Sequence, residues 1–241
     1  MREQTRARPG DGFDAAWAHG DGIPGWLTRD QARVLWDSAL RVPAGGTVLE
    51  IGSHQGRSTV VLALAARRAG ARVVAVDPFV SGRLFGGAAT RLRFEDNVAR
   101  AEVGDVVELV AEPSTRLRPR WTGRVDLLYV DGKHDYWTVT DDLRWAGHLP
   151  AGGELLVHDA FSSVGVTLGI LRWVLPSRRI AYAGRVGSLA RFTAGRPGPR
   201  DRVRILAELP WFVRNVVVKI GLRALRPLSR LTGRAVPPDP Y

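Results

Sequence analysis

The 241-residue chain contains no cysteine, and this excludes disulfides, thiolate metal sites and a cysteine nucleophile. It has no run of 18 uncharged apolar residues, so we expect no transmembrane helix. Residues 1–22 are polar and lack the apolar segment of a signal peptide. Together these absences predict a cytoplasmic location. Because 45% of the residues are apolar, the chain can still bury a full core.

Charge is distributed unevenly along the chain. Residues 1–175 hold 21 Lys+Arg and 21 Asp+Glu, whereas residues 176–241 hold 14 and 3, so the last quarter carries the whole net charge of +11. Such an asymmetry concerns binding partners and not the fold.

Short apolar segments alternate with helical patterns through most of the chain. Strands are predicted at 47–52, 72–76, 106–111, 125–130 and 154–157, with a closing hairpin at 180–186 and 189–192. Helices are predicted at 28–40, 58–69, 91–102, 137–146 and 165–174. Strands that are apolar on both faces and alternate with helices are typical of a parallel sheet covered on both sides. We therefore predict an α/β fold with a doubly wound, mostly parallel sheet, helices on both faces and a C-terminal antiparallel hairpin.

The passage from the first strand to the next helix has the form of a ligand-binding turn. Gly52 and Gly56 allow a tight turn and a close approach of the backbone to a ligand. The G-x-G-x-x-G pattern of dinucleotide sites is absent, and Glu50 precedes the first glycine instead. A carboxylate there suits a cationic group such as an ammonium. Asp77 ends the second strand, where a carboxylate can accept both hydroxyls of a ribose.

These motifs resemble those of class I S-adenosylmethionine-dependent methyltransferases, and more narrowly the branch of catechol O-methyltransferase-like and macrocin-type O-methyltransferases. The resemblance covers residues 25–192 and implies a Rossmann-like fold. It rests on GWLTRDQARVLWDSAL, VLEIGSHQGRST, VVAVDPF, FEDNVARAEVGDVVELVAEPS and LLYVDGKHDYWTVTDDLRWAGHLPAGGELLVHDAF. His54 replaces the middle glycine of the general family motif, a replacement that this branch tolerates.

The resemblance also implies a set of residues that bind S-adenosylmethionine. Glu50, Gly52, Ser53 and Gly56 would line the methionine end, and Asp77 would hold the ribose. Glu112 and Ser114 would flank the adenine, and Asp131 would lie beside the cofactor or the substrate.

A reaction site is expected where two later strands end. Asp131 and Asp159 each follow a strand, and paired carboxylates at one rim suit a hard cation such as Mg²⁺. His134 lies close to Asp131 in sequence and has a suitable pKa for abstracting a proton. The family often has a third Asp or Asn where this chain has Ala160. Asp141 or His158 could complete the ligand shell instead, and whether a metal is bound stays open.

We therefore expect methyl transfer from S-adenosylmethionine to a hydroxyl of a small molecule, either a sugar or a specialised metabolite. Two alternatives stay open. A methyltransferase fold without activity could serve as a binding protein, and Ala160 in place of a third ligand favours this interpretation. The same branch also resembles oxygenases of the cephalosporin-hydroxylase type.

The predicted organisation has a flexible leader at 1–22, the methyltransferase domain at 23–196 and a basic amphipathic extension at 197–241. Within the extension, a helix is expected to begin near Pro210 and to end before Pro227. Lys219, Arg223, Arg226 and Arg230 share one face of this helix. Residues 209–230 could contact an anionic membrane surface peripherally, or could pack on the domain or on a second subunit of a homo-oligomer. Nucleic-acid binding ranks below these because no nucleic-acid motif is present.

Overall fold

The computed structural model describes residues 12–81 and 87–232. Within these ranges one sheet has the strand order β3-β2-β1-β4-β5-β7-β6. The first five strands in sequence run parallel, whereas β7 is antiparallel to β5 and β6. The strands are β1 Thr47–Ile51, β2 Arg72–Val76, β3 Val107–Val110, β4 Leu127–Val130, β5 Glu154–Val157, β6 Ile180–Val186 and β7 Leu189–Ala194.

The described helices lie on both faces of this sheet. They are α1 Phe13–Asp21, α2 Arg29–Leu40, α3 Arg57–Ala69, α4 Gly87–Arg100, α5 Ser114–Leu117, α6 Tyr136–Leu143, α7 Val164–Gly169, α8 Pro199–Leu206 and α9 Leu209–Thr232. The predicted doubly wound, Rossmann-like α/β fold with a C-terminal antiparallel hairpin is therefore confirmed. The connections reverse direction between β1 and β4, and such a switch point is where α/β sheets bind ligands.

Alternate residues of each central strand enter two separate cores. Val48 points into a core formed with α1, α2 and α3, while its neighbour Leu49 points into a core formed with α6 and α7. Both residues are fully buried. A strand that is covered on both faces has no polar side, and this explains the continuous apolar runs in the sequence.

The start of α2 matches its sequence pattern. The Thr28 hydroxyl accepts a hydrogen bond from the backbone N–H of Gln31, and the Gln31 side chain accepts one from the backbone N–H of Thr28. This reciprocal arrangement is a capping box, which satisfies two backbone donors at the helix start.

The prediction of a flexible leader at 1–22 is wrong for its second half. Residues 13–21 form α1, where Phe13 and Ala16 are buried and the Phe13 ring packs edge-on against Trp36. Arg57 of α3 forms an ion pair of 3.1 Å with Asp21 and thereby links α3 to α1. Residues 1–11 lie outside the described part of the chain. Burial of these apolar groups against α2 and α3 offsets the entropy of ordering the segment.

The basic extension forms two helices, α8 and α9. Helix α9 begins at Leu209, close to the predicted start, but it continues through Pro227 to Thr232. The predicted end before Pro227 is therefore wrong, because a helix can continue past a proline at the cost of one backbone hydrogen bond and a local bend. Among the described helices none is long and apolar enough to cross a membrane. Residues 233–241 of the extension fall outside the description.

Candidate active site

The candidate site lies at the carboxyl ends of β1 and β4, next to the switch point of the sheet. The loop after β1 starts at Gly52, and the backbone N–H of Asp131 donates to the carbonyl of Ile51 at 2.8 Å. Gly52 has φ +93°, and a Cβ at this position would lie 2.2 Å from the Asp131 carbonyl oxygen. Any side chain at this position would clash, so Gly52 allows the predicted cofactor loop to pack directly against the backbone of Asp131 in the predicted reaction site.

Glu50 lies beneath that loop and is fully buried. Its two carboxylate oxygens accept hydrogen bonds from the hydroxyls of Ser58 and Thr59 at the start of α3. Burial raises the pKa of Glu50 to about 7, despite the opposing effect of these hydrogen bonds. The structure thus places Glu50 where it supports the loop and the first turn of α3.

Hydrogen bonds of Asp77 and Gly56 fix the conformation of the cofactor loop, residues 52–56. One oxygen of the Asp77 carboxylate accepts from the backbone N–H of His54, and the other accepts from that of Phe79, both at 2.8 Å. Each oxygen keeps a lone pair, so the carboxylate can still accept the hydroxyls of a ribose. Gly56 precedes α3 with φ +91°, and the backbone N–H of Gly56 donates to the carbonyl of buried Ser53.

Glu112 and Ser114 follow β3, on the side of the loop where the adenine is expected. The Glu112 carboxylate forms an ion pair with Arg120, and the Ser114 hydroxyl donates to the carboxylate of Asp142 on α6. Burial raises the pKa of Asp142 to about 6. Asp142 was not among the residues predicted from the sequence, although an acidic residue on the buried face of a predicted helix can indicate a functional site.

The predicted reaction residues come together at the same rim. His134 lies between the two carboxylates: its Nδ1 is 3.0 Å from Asp159 Oδ2, and its Nε2 is 3.5 Å from Asp131 Oδ1. Burial alone would lower the pKa of His134, but hydrogen bonds to Asp131 and Asp159 raise it to about 10. The imidazole is therefore a cation at neutral pH and pairs with both carboxylates.

His158 completes this cluster. Its Nδ1 is 3.1 Å from Asp131 Oδ1, and its Nε2 is 3.3 Å from the side-chain oxygen of Gln31. The negative charge of Asp131 is the main cause of the raised pKa of His158 and outweighs the effect of burial, so the imidazole pairs with Asp131 as a cation. Gln31 was not among the residues predicted from the sequence, because its contact with His158 joins segments that are distant in the chain.

The electrostatics of the cluster keep both aspartates ionised. Burial opposes ionisation of Asp131, but the positive charge of His158 and the hydrogen bond from His134 hold its pKa at about 2. The pKa of Asp159 lies well below its usual range, mainly because of the hydrogen bond from His134, which outweighs burial. Tyr129 adds a third donor, its hydroxyl lying 2.9 Å from Asp131 Oδ2.

The segment that carries Asp159 is held by the C-terminal helix. Asp159 and Phe161 have φ +52° and φ +57°, a backbone region that L-residues seldom adopt. The Asn215 side chain on α9 donates to the Phe161 carbonyl at 3.0 Å, and Lys219 donates to the Ser162 carbonyl at 3.0 Å. Helix α9 therefore contacts the backbone directly behind the reaction site.

The donor set does not fit the predicted pairing of Asp131 and Asp159 around Mg²⁺. An imidazole lies between the two carboxylates, and Ala160 offers no side-chain oxygen. Asp141 points to Arg144, with which it forms an ion pair of 2.6 Å. Asp131, His134 and His158 have ligand atoms within 4.8 Å of one another, a set of one oxygen and two nitrogens. Mg²⁺ prefers oxygen ligands, so we assign no step to it.

Comparison with known proteins agrees with this geometry. Residues 49–160 match a family model described as a methyltransferase domain. The cofactor-bound protein Rv0187 from MTB is 23% identical, with 80% of this chain and 92% of that chain covered and a TM-score of 0.58. The O-methyltransferase TomG from Streptomyces achromogenes, involved in tomaymycin synthesis and crystallised with SAM, is 18% identical, with coverages of 79% and 92% and a TM-score of 0.55. CalS11, a TDP-rhamnose 3'-O-methyltransferase of calicheamicin biosynthesis, is 16% identical, with coverages of 76% and 93% and a TM-score of 0.52.

The fold and the position of the site define the class: the chain has the Rossmann-like fold of class I S-adenosylmethionine-dependent methyltransferases. The match of residues 49–160 to the methyltransferase-domain model spans the cofactor loop and the segment that carries Asp131 and Asp159. The resemblance found in the sequence is thereby confirmed, and the catechol and macrocin branch is consistent with these relatives.

Proposed function

We propose that this chain is an S-adenosylmethionine-dependent O-methyltransferase that acts on a hydroxyl of a sugar or of a specialised metabolite. The observation that carries the proposal is the position of His134, held between Asp131 and Asp159 directly beside the loop that begins at Gly52. A group that can move a proton thus lies at the rim where the methyl donor is expected.

When bound, S-adenosylmethionine supplies an activated methyl group to the acceptor oxygen and leaves as S-adenosylhomocysteine. The chain then has two tasks, alignment of the acceptor and removal of its proton. Asp159 orients the imidazole through Nδ1, and the acceptor hydroxyl would take the place of Asp131 at Nε2, which lies 3.5 Å from Asp131 Oδ1. His134 acts as a base only in its neutral form, and its raised pKa of about 10 makes that form a minority at neutral pH, so the rate of methyl transfer should rise with pH.

The substrate class is supported by the relatives and not by a pocket of defined shape. One relative is a TDP-rhamnose 3'-O-methyltransferase and another takes part in tomaymycin synthesis. A sugar hydroxyl and a hydroxyl of a specialised metabolite are therefore the acceptors to examine first.

The direct test is transfer of a radiolabelled methyl group from S-adenosylmethionine to a panel of nucleotide sugars and hydroxylated metabolites. His134→Ala should lower kcat by about 10²–10⁴-fold with little change in donor affinity. His19→Ala is the matched control, because His19 is exposed on α1 and far from the site in sequence. Donor binding without transfer to any acceptor would instead support a binding protein that has lost its chemistry.

A second candidate function is favoured by one observation. Two imidazoles and one carboxylate are the donor set of non-haem iron oxygenases, and Asp131, His134 and His158 present that set. With ferrous iron bound, those residues would support oxygen activation. Consumption of oxygen that depends on iron and on an acceptor, without methyl transfer, would favour this function over the first.

A further inference from the structure

Helix α9 presents two different faces. Its inner face is fixed to the domain, because buried Asn215 and part-buried Lys219 donate to backbone carbonyls after Asp159. Its outer face carries Val213, Val217 and Ile220, which are 57%, 62% and 62% exposed. Their spacing of four and three residues places them on one side of the helix, opposite Asn215. Apolar side chains in such a stripe are an unusual surface for a helix that is already docked.

Positive charge accompanies this apolar stripe. Residues 209–232 contain five Lys+Arg and no Asp or Glu, and one of the five, Lys219, lies on the inner face. The last quarter of the chain has 14 basic against 3 acidic residues. Exposed Arg214 lies next to Val213 at the edge of the stripe. A second copy of the chain would bring two such cationic segments together, which is unfavourable, whereas an anionic surface complements them.

We propose that the outer face of α9 docks on an anionic lipid bilayer, with Val213, Val217 and Ile220 entering the interfacial region. An apolar stripe flanked by cations is the pattern of helices that lie in the plane of a membrane surface. The docking is peripheral, since no described helix can cross a bilayer. This proposal concerns location and is independent of the proposed reaction.

The test is sedimentation of the full chain with phosphatidylcholine vesicles that contain or lack phosphatidylglycerol. We expect binding only to the anionic vesicles, and weaker binding as salt rises. The double variant Val217→Asp/Ile220→Asp should lower the partition coefficient at least about tenfold, because two apolar anchors are lost and two negative charges are added. Leu92→Asp is the matched control, since Leu92 is 66% exposed on α4 and should leave binding unchanged.

Circular dichroism and the Tm of each variant show whether it is folded. Because Val217 and Ile220 are exposed, we expect both variants to unfold at the temperature of the parent chain. The proposal is overturned if the parent chain does not bind anionic vesicles, or if the double variant binds them as strongly as the parent does. It is also overturned if light scattering shows a dimer that the double variant dissociates while vesicle binding is absent, because the stripe then pairs two copies.

Discussion

The buried carboxylate of Glu50 makes a quantitative prediction about stability. Its pKa is raised from 4.5 to about 7, so the folded protein binds this proton more tightly than the unfolded chain does. The contribution of Glu50 to the free energy of unfolding is therefore fully present at low pH and is lost as pH rises from about 4.5 through 7. A shift of this size corresponds to about 3 kcal/mol in total.

The perturbation is Glu50→Gln, which removes the ionisable group and keeps the shape. The hydroxyls of Ser58 and Thr59 can rotate to serve an amide as they serve a carboxylate. The variant avoids the cost of ionisation, so its free energy of unfolding, relative to the parent chain, should improve by about 2–3 kcal/mol between pH 5 and pH 8.

Urea unfolding at pH 5 and pH 8, followed by circular dichroism, measures this difference. Glu108→Gln is the control, because Glu108 is exposed on β3 and forms only a surface ion pair with Arg72. The control should show little change with pH. If Glu50→Gln differs from the parent by the same amount at both pH values, folding does not raise the pKa of Glu50 and the reasoning is refuted.

Three further predictions concern the loop, the cluster and the C-terminal helix. Gly52→Ala should abolish S-adenosylmethionine binding in calorimetry, because its Cβ would clash with the Asp131 carbonyl. The control is Gly45→Ala: Gly45 also has a positive φ of +75°, but the space around it is open, so this variant should still bind. Gln31→Leu should lower kcat about tenfold and shift the pH profile of kcat with little effect on donor affinity, because the Nε2 of His158 loses its partner. An unchanged pH profile would contradict this. Asn215→Leu should lower the free energy of unfolding by about 1–3 kcal/mol, since the Phe161 carbonyl loses its partner; urea unfolding without such a loss would contradict the contact.

Much of the fold was predictable because the central strands are short, mostly apolar segments that alternate with helical patterns. Asp77, Asp131 and Asp159 were found in this way, since a carboxylate directly after a buried strand must lie at the rim of the sheet. The capping box of Thr28 and Gln31 depends only on residues close in sequence, so a feature of this kind is predictable in principle.

Features that depend on distant contacts could not be predicted. Helix α1 buries Phe13, Ala16 and Gly20, with Trp17 packed partly against the same core, and two of the three buried residues are too small to give a strong hydrophobic pattern. Nothing local indicates that the His134 imidazole lies between two carboxylates. That arrangement arises because the ends of β4 and β5 meet at one rim, and it replaces the expected metal site with a cluster of paired charges.

Calorimetric titration of the chain with S-adenosylmethionine tests the central claim most directly. We expect the chain to bind one molecule, with affinity lowered at least about tenfold in Asp77→Ala, because a charged acceptor of two ribose hydroxyls is removed. Asp14→Ala, an exposed acid on α1, should bind as the parent chain does. No heat of binding for the parent chain, or unchanged affinity in Asp77→Ala, would contradict the assignment of the cofactor loop.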